Sequence, residues 1–167
     1  MTDRSLFNRR YTSYTPNGTE VWLLNGSSVS TTLSSTQNLL AAQDLAQGDV
    51  VFVSGVWAVP ATAASGASAV EYNAIGLTAT SASQNATVGV ILDDTATVSA
   101  ANIVGASSLV PGDTYYLSKY KGKLTRYATS SGTVVAASGY GALVILGTAV
   151  SATELQVEIS APVILVP

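Results

Sequence analysis

No cysteine and no histidine occur in this chain. The first absence excludes a disulfide framework and thiolate chemistry. The second removes the commonest general base. Together they remove the usual nucleophile–base pairs and nearly all transition-metal sites. Charge is scarce as well: Asp, Glu, Lys and Arg make up 10% of the residues, against about 25% in an ordinary soluble domain. A net charge of −3 argues against general nucleic-acid binding, which relies on cations displacing counterions from phosphate. No run approaches the ~20 apolar residues of a membrane span. The polar opening "MTDRSLFNRRYTSYTPNGTE" has no apolar stretch of the kind a secretory signal carries. Assembly in a cytoplasm is therefore expected, with neither nucleic acid nor membrane as partner.

Ser, Thr, Ala and Gly stand where the charges are missing, and 47% of the residues are hydrophobic. Small uncharged side chains cover a surface with little rotamer entropy. They also suit close packing between subunits, where an unpaired charge is costly. Much of the surface is thus expected to be buried against other chains.

Residues 1–44 read as an arm and connecting segment, and 45–167 as a β-domain. The arm holds Arg4, Arg9 and Arg10, three of seven basic residues, with Phe7, Tyr11 and Tyr14 between and after them. Neither strand alternation nor a helical stripe shows in the first twenty residues, so an extended arm is expected. "TQNLLAAQDLA" (36–46) suggests a turn or two of helix capped by Ser35 or Thr36. From residue 45 the pattern is β. Turn residues recur every 8–12 positions, the spacing of an all-β antiparallel sandwich or barrel, and Val, Ile, Thr and Tyr dominate the strands.

Two halves are similar, 45–100 and 109–160. Leu45, Gly48, Asp49, Phe52 and Ser54 return as Leu109, Gly112, Asp113, Tyr116 and Ser118, and Ile75-Gly76 returns as Leu146-Gly147. Gly before Asp suits a turn: Gly accepts positive φ, and Asp bonds nearby backbone.

Little here performs chemistry. Asp93-Asp94 is followed only by Thr and Ser, too few ligands for a calcium loop, so no metal and no cofactor are expected. Glu154 and Glu158 lie at even spacing on one strand face, most simply toward solvent. No catalytic residue is assigned. Three Asn-x-Ser/Thr triplets (from Asn17, Asn25 and Asn85) reflect the abundance of these residues. The remaining cations, Lys119, Lys121, Lys123 and Arg126, cluster around one hairpin with Tyr120 and Tyr127. They form a second basic patch suited to an acidic partner surface. By strand alternation Tyr116 and Tyr120 share a core-facing side, and Tyr115 faces away.

The run "LVPGDTYYLS…GKLTRYAT…YGALVILGTAVSATELQVEIS" resembles a β-module of tailed-bacteriophage virion proteins, found in head decoration proteins, head fibres and tail-fibre segments. The match is strong over 109–160 and extends to 45–160 through the first half. It implies a structural protein that is not an enzyme, a homo-oligomer with a trimer as the expected form. One module plus an arm suits a capsid decoration (cement) protein on the phage head exterior, whose partner is the major capsid protein. Arg4, Arg9 and Arg10 would then pair with capsid carboxylates, and Phe7, Tyr11 and Tyr14 would anchor apolar contacts. The alternative is a short tail-fibre or head-fibre adhesin, with tyrosines stacking on host-surface glycan.

Overall fold

A computed structural model describes residues 35–126 and 139–165, together with the backbone of three strands ahead of them. Those three are β1 (Thr12–Tyr14), β2 (Thr19–Leu24) and β3 (Ser27–Thr32), an antiparallel sheet in that order. They belong to a unit of their own, Met1–Ser34. The expected arm therefore carries strands, with Thr12 opposite Trp22 and Trp22 opposite Val29. Arg4, Phe7, Arg9, Arg10 and Tyr11 lie outside the described residues, as does the side chain of Tyr14.

The second unit begins at Ser35 rather than at residue 45. The expected helical turns over 36–46 are instead β4 (Thr36–Ala41), which pairs with β8 (Thr87–Ile91) along its length. Leu39 and Ala41 point inward while Thr36–Asn38 are exposed. Two-sided pairing overrides the helical preference of Leu and Ala. With β5 (Val50–Ser54), β6 (Trp57–Pro60) and β7 (Gly76–Thr78), these strands close a barrel in the order β4-β6-β5-β7-β8. The segment between β6 and β7 carries a short helix, α1 (Ala69–Tyr72). We call this barrel module one.

Module two follows with β9 (Thr95–Thr97), β10 (Ile103–Val104), β11 (Thr114–Leu117), β12 (Leu124–Arg126), β13 (Ala142–Leu143), β14 (Ile145–Ala149), β15 (Glu154–Val157) and β16 (Val163–Ile164). Its main sheet runs β10-β12-β11-β14-β15-β9. That is the barrel order of module one, with the counterpart of β4 broken into β9 and β10 by a 3-10 turn at Ala100–Asn102. Even the parallel closure recurs: Ala41 opposes Ala58, and Ile103 opposes Leu124.

Hydrogen bonds repeat position by position. Leu45 donates to Ala82 O at 2.8 Å, and Leu109 to Ala152 O at 2.8 Å. Gly48 donates to Thr78 O at 2.9 Å, and Gly112 to Ala149 O at 2.8 Å. Gly48 and Gly112 hold φ of 80° and 85°, a left-handed turn that glycine adopts without penalty. Gly76 and Gly147 recur for a different reason. A Cβ on either would strike the opposing carbonyl, Ile91 O or Gln156 O. The modules are structural duplicates.

Leu39, Leu45, Val51, Ala58, Val88 and Val90 fill module one. The larger core belongs to both modules. Val50, Phe52, Tyr72 and Leu77 of the first pack with Tyr115, Leu117, Leu124, Leu146, Leu155 and Val157 of the second. Strand β5 is buried on both faces over Val50–Phe52. That explains its unbroken apolar run, since a strand covered on both sides has no solvent face to alternate with.

Candidate functional site

The hairpin joining β11 to β12 carries the cations assigned as a second basic patch. Its turn, residues 118–123, is inserted into module one through the backbone. Val50 donates to Gly122 O at 2.9 Å and Gly122 to Ala61 O at 2.8 Å. Ala63 donates to Ser118 O at 2.8 Å, and the Thr62 hydroxyl to Lys119 O at 2.8 Å. These bonds occupy groups that a free hairpin tip would offer to solvent or to a partner.

The side chains follow the same plan. Lys123 Nζ donates to Asn102 Oδ1 at 2.8 Å and lies 3.4 Å from Asp49 Oδ1. Asn102 is fully buried, and its amide donates to Gln47 O at 2.8 Å. The other Asp49 oxygen accepts from Ala46 N at 2.8 Å. Lys121 faces Glu71 of α1 at 3.7 Å. Arg126 pairs with Asp113 within module two. Lys119 lies 5.7 Å from the Tyr120 ring centre and 5.9 Å from that of Tyr140, within cation–π range. Of the four cations expected to meet an acidic partner, three face carboxylates of this same chain. Lys121 and Lys123 reach across to module one.

Glu71 accepts from the Ser68 N–H at 2.8 Å and from the Ser68 hydroxyl at 3.1 Å. These bonds hold its carboxyl below the usual range, and Lys121 adds to the effect.

The tyrosines also differ from expectation. Tyr115 is fully buried and accepts a hydrogen bond from Val110 N at 2.9 Å, whereas Tyr116 is half-buried and Tyr120 is 55% exposed. Strand β11 ends at Leu117, so Tyr120 sits in the turn and outside the alternation. Tyr127 lies outside the described residues. Asp94 accepts from Ser35 and Thr95, as a solvated turn residue does. Glu154 and Glu158 are exposed. Among the described residues no group of three or more acidic side chains converges on a metal position, and no helix is long and apolar enough to cross a membrane.

Sequence reasoning missed Asn102, Asp49 and Glu71, the acceptors of the hairpin. Asp49 carried a signal in the Gly-Asp frame it shares with Asp113. Asn102 carried none, because its role exists only once the modules meet.

A shallow groove of about 520 Å³ is lined by Gln37, Val53, Asn73, Ile75, Leu92 and Pro162 among others. None of its lining residues ionises. No protein-family model matches this chain, and no curated protein matches it either.

Proposed function

We propose that this chain is a structural virion protein that decorates the outer surface of a tailed-phage head and stabilises it. The observation that supports this reading is the use made of the stretch resembling virion modules. Its hairpin is spent on joining the two modules, and three of its four cations face carboxylates of the same chain. What remains outside is a charge-poor surface, its exposed charges mostly acids such as Asp44, Asp93, Asp94, Glu154 and Glu158, dotted with single apolar residues such as Val56, Val70, Val150 and Val163. Such a surface suits repeated burial in an assembly better than the capture of a charged substrate. The major capsid protein is the proposed partner, a trimer is the proposed oligomer, and Arg4, Phe7, Arg9, Arg10, Tyr11 and Tyr14 are the proposed capsid contacts.

The direct test is the copy number of this chain in purified particles, measured by quantitative mass spectrometry against the major capsid protein. A simple fraction of the capsid copy number is expected. Absence from particles would refute the proposal. Deleting residues 1–14 should abolish attachment while the β-unit stays folded.

A second reading, a fibre adhesin, is favoured by one feature: exposed Tyr120 and half-buried Tyr140 flank Lys119, a pairing able to stack on a sugar. A handful of copies per particle, with binding of isolated protein to host cells that Tyr120→Ala removes, would put this reading first.

A further inference from the structure

The joint between the modules is made of two unlike faces. Module one contributes the turn Gly48–Val50 with Ala61–Ala63, all buried. Module two contributes the hairpin turn 118–123 with Asn102. Because the modules are duplicates, each also carries the other's kind of face. By register, Gly112–Thr114 matches Gly48–Val50, and the short hairpin turn from Ser54 to Trp57, beside Leu40, matches 118–123 beside Asn102. Both of these counterparts are open. Pro111 and Gly112 are exposed and Asp113 and Thr114 half-buried; Ser54 and Gly55 are exposed, Val56 is 59% exposed, and Trp57 and Leu40 are half-buried.

A joint of unlike faces leaves one of each unused at the ends, and such contacts build closed rings when the rotation closes. We infer that a second copy of this chain covers them: the Ser54–Trp57 turn of one copy docks on the Pro111–Thr114 turn of the next, repeating the internal joint between chains. This deepens the assembly part of the virion reading by naming its surfaces, and it stands whether or not a capsid is bound.

The chemistry of the open faces fits this occupant. In the internal joint Asp49 needs a cation from the other module, and Lys123 supplies it. In the open face its counterpart Asp113 is already paired with Arg126, which occupies the position of Pro60. The matching position on the docking turn is accordingly not a cation but Trp57. An aromatic ring suits the face of a paired guanidinium. Val56 at the tip would bury where it now meets water. A charged partner is disfavoured, since neither face offers an unpaired charge among the described residues.

The absence of cysteine makes the test clean. Full-length Val56→Cys and Thr114→Cys chains are prepared separately and then mixed under mild oxidation. The expected result is a cross-linked pair formed in the mixture and not by either variant alone, because the faces are unlike. Light scattering and native mass spectrometry of the unmodified full chain should show a closed oligomer. Val56→Asp, at an exposed turn that the core does not use, should weaken that oligomer by about thirtyfold or more and leave its thermal unfolding midpoint as a monomer unchanged. A monomer at all concentrations would overturn the inference. So would cross-linking of Val56→Cys with itself, or an oligomer indifferent to Val56→Asp, which would mean that residues 1–34 or another surface form the contact. Failure of capsid binding with an intact, Val56-dependent ring would refute only the virion reading.

Discussion

Tyr115 concentrates two functions in one side chain. Its ring sits in the core shared by both modules, and its hydroxyl accepts from Val110 N in the turn that precedes β11. Tyr115→Phe removes only the acceptor, and the expected loss is about 1 kcal/mol. Tyr115→Ala also opens a cavity, with an expected loss of about 3–5 kcal/mol. Denaturant titration of the two variants separates the terms. Gly147 and Gly76 invite a parallel experiment. At each, a Cβ meets an opposing carbonyl rather than a movable side chain, so Gly→Ala must displace backbone, at about 1–3 kcal/mol apiece. Gly147 also holds a φ of 150°, which side chains with a Cβ rarely adopt, so the larger loss is expected there. A tolerated Gly76→Ala would mean that the close approach to Ile91 O does not hold in module one.

At the scale of elements, the hairpin turn 118–123 is held to module one by backbone bonds and by Lys123. Lys123→Met keeps the aliphatic stem but strands Asp49, which is buried, and Asn102. A loss of about 1–3 kcal/mol is expected, the usual result of leaving a buried polar group unmatched. Lys121→Met removes a pair on a 67% exposed lysine and should cost well under ~1 kcal/mol. Glu71 supplies a pH test. Its carboxyl titrates lower in the folded chain than in the unfolded one, so its contribution is present at neutral pH and fades as the pH falls through the folded value. Glu71→Gln should lower stability at neutral pH by about 0.5–1 kcal/mol and flatten the acid limb of the stability profile below the usual carboxylate range. An unchanged acid limb would deny Glu71 that role. The strands themselves were legible because Gly-Asp turns and β-branched runs are local signals. The repeat was legible because it preserves the residues that make those turns. Strand β4 was not legible: Leu39, Leu40, Ala41 and Ala42 suit a helix equally well, and only pairing with β6 and β8 decides. The destination of the hairpin cations was hidden for the same reason, since Glu71 and Asp49 lie far from them in sequence.

At the scale of the molecule, the division of the core fixes how the β-unit should unfold. Module one owns a small interior around Val51 and Val88, yet the outer face of its β5, with Val50 and Phe52, is buried only because module two lies against it. Module two contributes to the same core through Tyr115, Leu146 and Leu155. Removing either module exposes several fully buried side chains at once, each worth about 1.5–3 kcal/mol on exposure. Most small domains have only about 5–15 kcal/mol in hand, so neither module should survive the loss of the other. Duplication would ordinarily suggest two independent folding units with two transitions. Here a single cooperative transition is expected for residues 35–167, with near-ultraviolet and far-ultraviolet signals coincident in urea. Lys123→Met should move that transition as a whole without splitting it, because the joint it weakens runs through the common core. Two resolved steps in the parent chain, or a stable intermediate retaining half of the strand signal, would show that each module stands alone and that the shared core contributes less than its buried area implies.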